Sequence, residues 1–414
     1  MAPVKLIIDT DPGVDDILGI ALALNSPEAD VKLISLCFGN IDVKNSLRNT
    51  ITMFHILEQE KQYRIRKDLP VRHHANQKPL VSVGLDASLD GTRINAAYYH
   101  GYDGLGNVHT HAPHHTPPEV WRALFDPEHS GHIDDEEFEA FTGFVPSKNP
   151  SYIDILNVLR EEEENTVVIC AIGPLQNIAK AAEFDPKTFA RVKEIVVMGG
   201  AINEHGNVTP LAEFNAYSDP VASARVYALS SPNPSTTLPP NSPESLINFP
   251  KQLKVTLFPL DITHRHGLFE KDYRPYIDKA IAAEEPFAIW ASKWLDSTFK
   301  TSARLSMTTF ETNHLEMHDP LAMFYAITSE TLSGWKLQYD VDIRVETTGQ
   351  WTRGATIVDK RGRARLENDD SSDDGNWLGA NSGNRCRVCI MSPTGFGPQF
   401  GIELLDRVFG SNHK

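Results

Sequence analysis

Five apolar runs set the first limit on how this chain can fold: VKLII (4–8), VKLISLCF (31–38), TVVICAI (166–172), EIVVMGG (194–200) and KVTLFPL (254–260). Each is short, rich in β-branched residues and free of the polar alternation that marks a strand with one wet face. Such a segment reads as a strand covered on both sides, which calls for a parallel sheet with helices on each face. The stretches between carry a helical period. After the first run, Val14, Ile17, Ala21 and Leu24 fall at i, i+3, i+7 and i+10, one stripe able to pack back on the sheet. KNSLRNTITMFHILE (44–58) and LQNIAKAAEF (175–184) behave alike. The expected fold is α/β: a single domain over 1–414 with a mostly parallel central sheet flanked by helices.

Three stretches break this rhythm. Residues 109–150 are rich in His, Pro and acids, 230–250 in Pro and Ser, and 367–385 in acids, Gly and Asn. None has the apolar content for a core, so they are expected as inserted surface loops. The formal net charge of −16 argues against nucleic acid as a partner, because neutralising phosphates takes an excess of Lys and Arg. No stretch approaches about 18 uninterrupted apolar residues, and MAPVKLIIDT is not a leader-like start. No membrane association is expected, and the expected location is the cytoplasm, with the nucleus as the alternative. Four cysteines, Cys37, Cys170, Cys386 and Cys389, are scattered, two of them in apolar runs, the pattern of reduced and buried thiols. Cys386 and Cys389 form a CxxC without the second pair that a zinc site needs.

IIDTDPGVDD (7–16) sets Asp9, Asp11, Asp15 and Asp16 at the end of the first strand, facing the crevice in which open α/β sheets bind ligands. Pro12 and Gly13 make the turn, and Asp15 and Asp16 enter the first helical turn, where the helix dipole favours carboxylates. Capping accounts for one or two acids, not four. A hard cation would resolve the repulsion, and Ca2+ takes the most oxygen ligands with the least geometric demand. More oxygens stand at other element ends: Asn40 after the second run, GPLQN after the third, AINEHGNVTPLAEFN after the fourth, and MHDPLAMF opening a helix. Each alone is equally a turn residue or an N-cap.

In order and spacing, DTDPGVDD, FGN (38–40), AIGPLQNIAKA, VVMGGA, GNVTPLAEFNAYSDP, PLDITH and HDP resemble the inosine-uridine preferring nucleoside hydrolases, over most of the chain outside the three insertions. The resemblance implies Ca2+-dependent hydrolysis of a ribonucleoside's N-glycosidic bond to free base and ribose, a reaction of purine and pyrimidine salvage, in a homodimer or homotetramer. On the matching positions, Asp11, Asp16, Asp319 and the main-chain carbonyl of Ile172 would hold calcium. The family usually has Thr where Ile172 stands, a change to which a carbonyl ligand is indifferent. Asp15, Asn40, Asn207, Glu213, Asn215 and again Asp319 would bind the ribose, and Met198 would line the sugar pocket. His318, and more loosely His100, would lie against the base. Asp11 would take a proton from the calcium-held water and His318 would give one to the leaving base. For His318 the other reading is a group that orients Asp319. Contacts to the base are expected from loops near Tyr273, Tyr276, Trp290 or Trp294.

Two rival functions differ in kind. A phosphatase of the haloacid-dehalogenase type would use Asp9 as nucleophile, although that class wants Thr or Val where Gly13 stands. A non-catalytic nucleoside-binding protein would not require a water-activating carboxylate. Two features lie outside the resemblance. DPEHSGHIDDEE (126–137) puts Asp126, Glu128, Ser130, Gly131, Ile133, Asp134 and Glu137 at EF-hand loop positions 1, 3, 5, 6, 8, 9 and 12; a second calcium site and an acidic helical lid both fit. HTHAPHH, with His109, His111, His114 and His115, reads as a solvated loop, since its Pro and Thr leave no helix or strand to fix ligand geometry.

Overall fold

The apolar runs become strands buried from both sides. The computed structural model describes residues 2–126, 128, 143–367 and 372–410. Its strands are β1 (Val4–Thr10), β2 (Ala29–Leu36), β3 (Leu80–Val83), β4 (Val145–Pro150), β5 (Val167–Ala171), β6 (Glu194–Met198), β7 (Val255–Phe258), β8 (Gly267–Phe269), β9 (His314–Glu316), β10 (Lys336–Val341), β11 (Ile343–Val345), β12 (Thr356–Val358) and β13 (Cys386–Met391). Nine of them form one sheet in the order β10-β13-β7-β6-β5-β1-β2-β3-β4. All neighbours run parallel except β10 against β13. β8 with β9, and β11 with β12, make two small antiparallel pairs. Val145–Pro150, within the 109–150 stretch, is the edge strand β4.

This order fixes where a ligand can sit. The chain leaves β1 for β2, β3 and β4 on one side, then returns to β5, β6 and β7 on the other, so the strand order reverses between β1 and β5. At that switch point the connections diverge and open a crevice at the carboxyl ends of the strands. Asp11 follows β1 and Ile172 follows β5, one on each side of it.

Helices cover both faces. The stripe expected on α1 (Val14–Asn25) is there, but the helix is buried on nearly every side, only Asp15 and Asn25 being partly exposed. It is enclosed because the helices His318–Thr328 and Gln399–Phe409 pack on its outer surface. Gly19 faces the first of these: a Cβ there would stand 3.7 Å from backbone atoms of Asp319 and Pro320. That close approach brings the N-terminus of the 318–328 helix beside the acids of α1.

Among the described residues no helix is long and apolar enough to cross a membrane. All four cysteines are buried and free. HTHAPHH is solvated at His111 and His114, as expected, but not at His109. Val108–His111 is one helical turn and Pro113–His115 a 3-10 turn, and His109 is buried between Asn49 Oδ1 (2.7 Å) and Thr116 Oγ1 (2.6 Å). Those partners supply the fixed geometry that the local sequence lacks. Most of the EF-hand-like stretch 126–137 lies outside the described residues.

Candidate active site

Asp16 organises the turn between β1 and α1. It stands at the third helical position, and its Oδ2 accepts from the Gly13 N–H at 2.9 Å, which caps the helix. Its Oδ1 accepts from Thr10 Oγ1 (2.6 Å) and the Asp11 N–H (3.3 Å), and Asn40 Nδ2 donates to Oδ2 at 3.0 Å. Asp11 is served differently. Its Oδ2 accepts from the Asn40 N–H at 2.5 Å, while its Oδ1 is buried with no hydrogen-bond partner among the described residues. A side chain at Gly39 or Gly173 would run into this carboxylate, so two glycines make its berth.

Asp319 completes a group. Carboxylate oxygens of Asp15, Asp16 and Asp319 all lie within 4.8 Å of one another. Burial, with the charges of the neighbouring acids added to it, pushes Asp11 and Asp319 well above the ordinary carboxylate range and Asp15 up to about 6. Burial also raises Asp16, against its hydrogen bonds from Thr10 and Gly13. These four acids cannot all ionise at neutral pH without a counter-charge, and an orphaned buried carboxylate oxygen is costly. An all-oxygen set with one unsatisfied atom fits a hard dication.

A cleft of about 220 Å3 opens above this floor. Of the residues singled out in the sequence, Asp15, Asn40, His100, Ile172, Met198, Asn207, Glu213, Asn215, His318 and Asp319 all line it, with Asp11 and Asp16 buried behind. The far wall is braced from within. Glu213 caps the short helix Phe214–Ser218, accepting from the N–H groups of Asn215 (2.7 Å), Gly200 (2.9 Å) and Ala216 (3.0 Å). Asn215 Nδ2 donates to the carbonyls of Ile172 (3.0 Å) and Met198 (3.2 Å), tying the ends of β5 and β6 together. Asn207 Oδ1 accepts from the Phe214 N–H at 2.9 Å.

The two histidines are pushed in opposite directions. His100 Nδ1 accepts from the Val14 N–H at 3.3 Å, and burial, helped by the charge of His318, pushes its pKa down to about 3. It is neutral, with its proton on Nε2. For His318 burial also disfavours the cation, but the hydrogen bond and charge of Glu316, with Asp15 and Glu213 behind, outweigh it and raise the pKa. Glu316 is pushed down to about 2 although its burial acts the other way. His318 Nε2 lies 3.2 Å from Glu316 Oε2, and Nδ1 lies 2.8 Å from Thr263 Oγ1.

Two expectations need correction. Asp9 does not face the crevice. β1 runs on to Thr10, so Asp9 lies inside the strand, its Oδ1 accepting from Ser35 Oγ (2.5 Å) and Asn177 Nδ2 (3.0 Å), and burial lifts its pKa to about 7. It is out of reach of any substrate phosphate. Tyr273, Trp290 and Trp294 are core residues without exposure, and Tyr276 bonds Asp406; none lines the cleft. The apolar walls come instead from Tyr98, Tyr99, Phe214 and Leu305. Aromatic density in AAYYHGY beside His100 hinted at the tyrosines; nothing local marked Leu305 or Glu316.

Fold and site together define an α/β enzyme with a buried carboxylate cluster under a small cleft whose walls are largely apolar. Residues 6–390 match the family described as "Inosine-uridine preferring nucleoside hydrolase". An uncharacterised protein of Schizosaccharomyces pombe is 30% identical over 356 residues, 86% of this chain and 89% of its own. The non-specific ribonucleoside hydrolase RihC of Salmonella agona is 28% identical over 362 residues, 87% of this chain and 90% of its own. Among solved structures, a plant nucleoside hydrolase superposes with a TM-score of 0.65 at 23% identity, covering 98% of this chain and 99% of that one. A purine-preferring ribonucleoside hydrolase from Gardnerella vaginalis gives 0.64 at 22%, covering 98% of each chain. The chain belongs to the inosine-uridine preferring nucleoside hydrolase family and is an enzyme of the ribonucleoside hydrolase class.

Proposed function

We propose that this enzyme hydrolyses the N-glycosidic bond of ribonucleosides with Asp11 as general base and Ca2+ as its cofactor. One observation carries the reading: the buried Asp11 Oδ1, which has no hydrogen-bond partner among the described residues, feels the charge of Asp15 and Asp16, which with Asp319 gather their carboxylates in the floor of the cleft. The carboxylates of Asp11, Asp16 and Asp319 and the carbonyl of Ile172 would hold the ion. When bound, Ca2+ supplies Lewis acidity and oxygen coordination at the cleft floor. Asp11 takes a proton from the attacking water. Asp15 and Glu213 offset the positive charge that grows on the ribose as the C–N bond lengthens, the charge of an oxocarbenium-like transition state. Asn40, Asn207 and Asn215 bind the ribose hydroxyls, with Met198 packed against the sugar. His318, whose pKa Glu316 raises, donates to the departing base, and neutral His100 offers it a second N–H.

The base is the least specified part. Relatives are described as non-specific and as purine-preferring, and the walls facing a base here are mostly apolar and aromatic. The reading places the reaction in the cytoplasm, in a homo-oligomer of one-domain subunits. Ribose release from inosine, uridine, cytidine and nicotinamide riboside, with and without chelator, tests it. Hydrolysis of at least one that stops with chelator is expected. No ribose from any of them, or phosphate release from nucleotides instead, would overturn it.

A further inference from the structure

One residue before Asp319, a second and chemically different ligand set converges at the side of the cleft. His264 follows the helical turn Leu260–Thr263 and holds its Nε2 3.6 Å from Glu316 Oε2, while His318 Nε2 lies 3.2 Å from the same oxygen. One ligand atom from each of the three side chains falls within 4.8 Å of the others. Atoms bound about 2.0–2.1 Å from a tetrahedral ion stand about 3.3 Å apart, so these separations suit zinc as well as an ion pair.

The surroundings orient the nitrogens for coordination. Thr263 Oγ1 engages His318 Nδ1 at 2.8 Å, leaving Nε2 as the nitrogen turned toward the cluster, the arrangement outer partners impose on ligating histidines. A third imidazole stands nearby. The His205 ring lies 5.8 Å from that of His264, and its Nδ1–H donates to the Gly206 carbonyl at 3.0 Å, which leaves its Nε2 lone pair free. Both His264 and His318 side chains keep 17% exposure, so an ion can reach them. Two imidazoles and one carboxylate select a borderline cation such as Zn2+, whereas the all-oxygen floor behind Asp319 selects a hard one.

We propose that His264, Glu316 and His318 form a binding site for a zinc-class divalent cation, and that filling it inhibits the enzyme by occupying His318 Nε2. The inhibitory half rests on the reading of His318 as proton donor to the base; the binding half stands on the ligand geometry alone.

The test uses the full chain saturated with Ca2+. Equilibrium dialysis against ZnCl2 is expected to show one bound zinc, weakened at least about tenfold in His264→Ala and in Glu316→Gln, the lower end of what even an outer partner contributes. Substituted Co2+ is expected to show the strong visible bands of a tetrahedral site in the wild type only. Zinc is expected to inhibit inosine hydrolysis by the wild type, with the inhibition constant raised by at least the same factor in His264→Ala, whose zinc-free rate and melting temperature stay at the wild-type level. No zinc bound to the calcium-loaded wild type, or equal binding by both variants, would overturn the site. Zinc bound with an unchanged hydrolysis rate would overturn the inhibition. If no sample hydrolyses any nucleoside, the proposed function fails, and dialysis still decides the site.

Discussion

Asn40 and Asp16 are joined behind the cleft: Asn40 Nδ2 donates to Asp16 Oδ2 at 3.0 Å, while the backbone N–H of the same Asn40 reaches Asp11 Oδ2 at 2.5 Å. One residue just past β2 therefore fixes two acids delivered by β1 and α1. Asn40→Ala is expected to lower kcat/KM for inosine by about tenfold to a hundredfold, the worth of hydrogen bonds to charged groups. A site that bonds a hydroxyl rejects a substrate lacking it by about 10⁴-fold, and the variant is expected to narrow that preference for inosine over 2′-deoxyinosine. Steady-state kinetics on both nucleosides check this; an unchanged ratio would take Asn40 out of hydroxyl recognition.

Asp11 sits where burial, and then like charge, work against its ionised form. In calcium-free protein, Asp11→Asn keeps an acceptor for the Asn40 N–H and removes one of the crowded charges. Its calcium-free melting temperature is expected to rise above that of the wild type, calcium is expected to raise it further by less, and turnover is expected to vanish. Paired thermal melts with chelator and with Ca2+, alongside an activity assay, read all three. An active Asp11→Asn enzyme would refute the assignment of the general base.

His318 is assigned to the leaving base, so its loss depends on how much help that base needs. His318→Ala is expected to slow inosine hydrolysis by about 10²–10⁴-fold, the usual range for general acid catalysis. p-Nitrophenyl riboside, whose leaving group departs as a stable anion, is expected to be hydrolysed nearly as fast as by the wild type. Equal slowing of both substrates would instead favour a role in holding Asp319.

His74 ties the end of α1 to the helix Val43–Arg66: Nε2 lies 3.2 Å from the Leu57 carbonyl and Nδ1 lies 2.8 Å from Asn25 Oδ1. Burial, then the charge of Arg72, lower its pKa from the ordinary 6.5 to about 4. Below pH 6.5 the unfolded chain therefore takes up a proton that the folded chain refuses. The stability this group contributes is whole above 6.5 and is lost as the pH falls toward 4. Relative to His74→Gln, the wild type is expected to lose about 2 kcal/mol between pH 7 and pH 5. Urea melts of both proteins at the two pH values measure it, and a constant difference would contradict the buried neutral state.

How much was legible in the sequence followed burial. β1, β2, β5, β6 and β7 are covered on both faces, so their apolar runs announced them. β3 has four residues, β4 is a largely exposed edge strand carrying two prolines, and β10 is exposed along most of its length, so none offered such a run. Acids and amides at strand ends were readable because their chemistry needs those residue types at those places. Asp9 was misread because the strand runs two residues past the apolar run VKLII, through Thr10, which leaves Asp9 inside the sheet against Ser35 and Asn177. Trp290 and Trp294 lie on the buried face of the helix Pro286–Ser306 and serve the core. Leu305 and Glu316 reach the cleft only through the folding of distant segments, which leaves no local trace.

Under the proposed function, one Ca2+ held by Asp11, Asp16 and Asp319 is required for hydrolysis. Returning Ca2+ stepwise to metal-stripped protein while following ribose release from a saturating ribonucleoside tests it directly. Activity is expected to rise from near zero to a plateau at one equivalent per chain, and not to rise in Asp319→Ala. Full turnover in the stripped protein, or full calcium-dependent activity in Asp319→Ala, would contradict it.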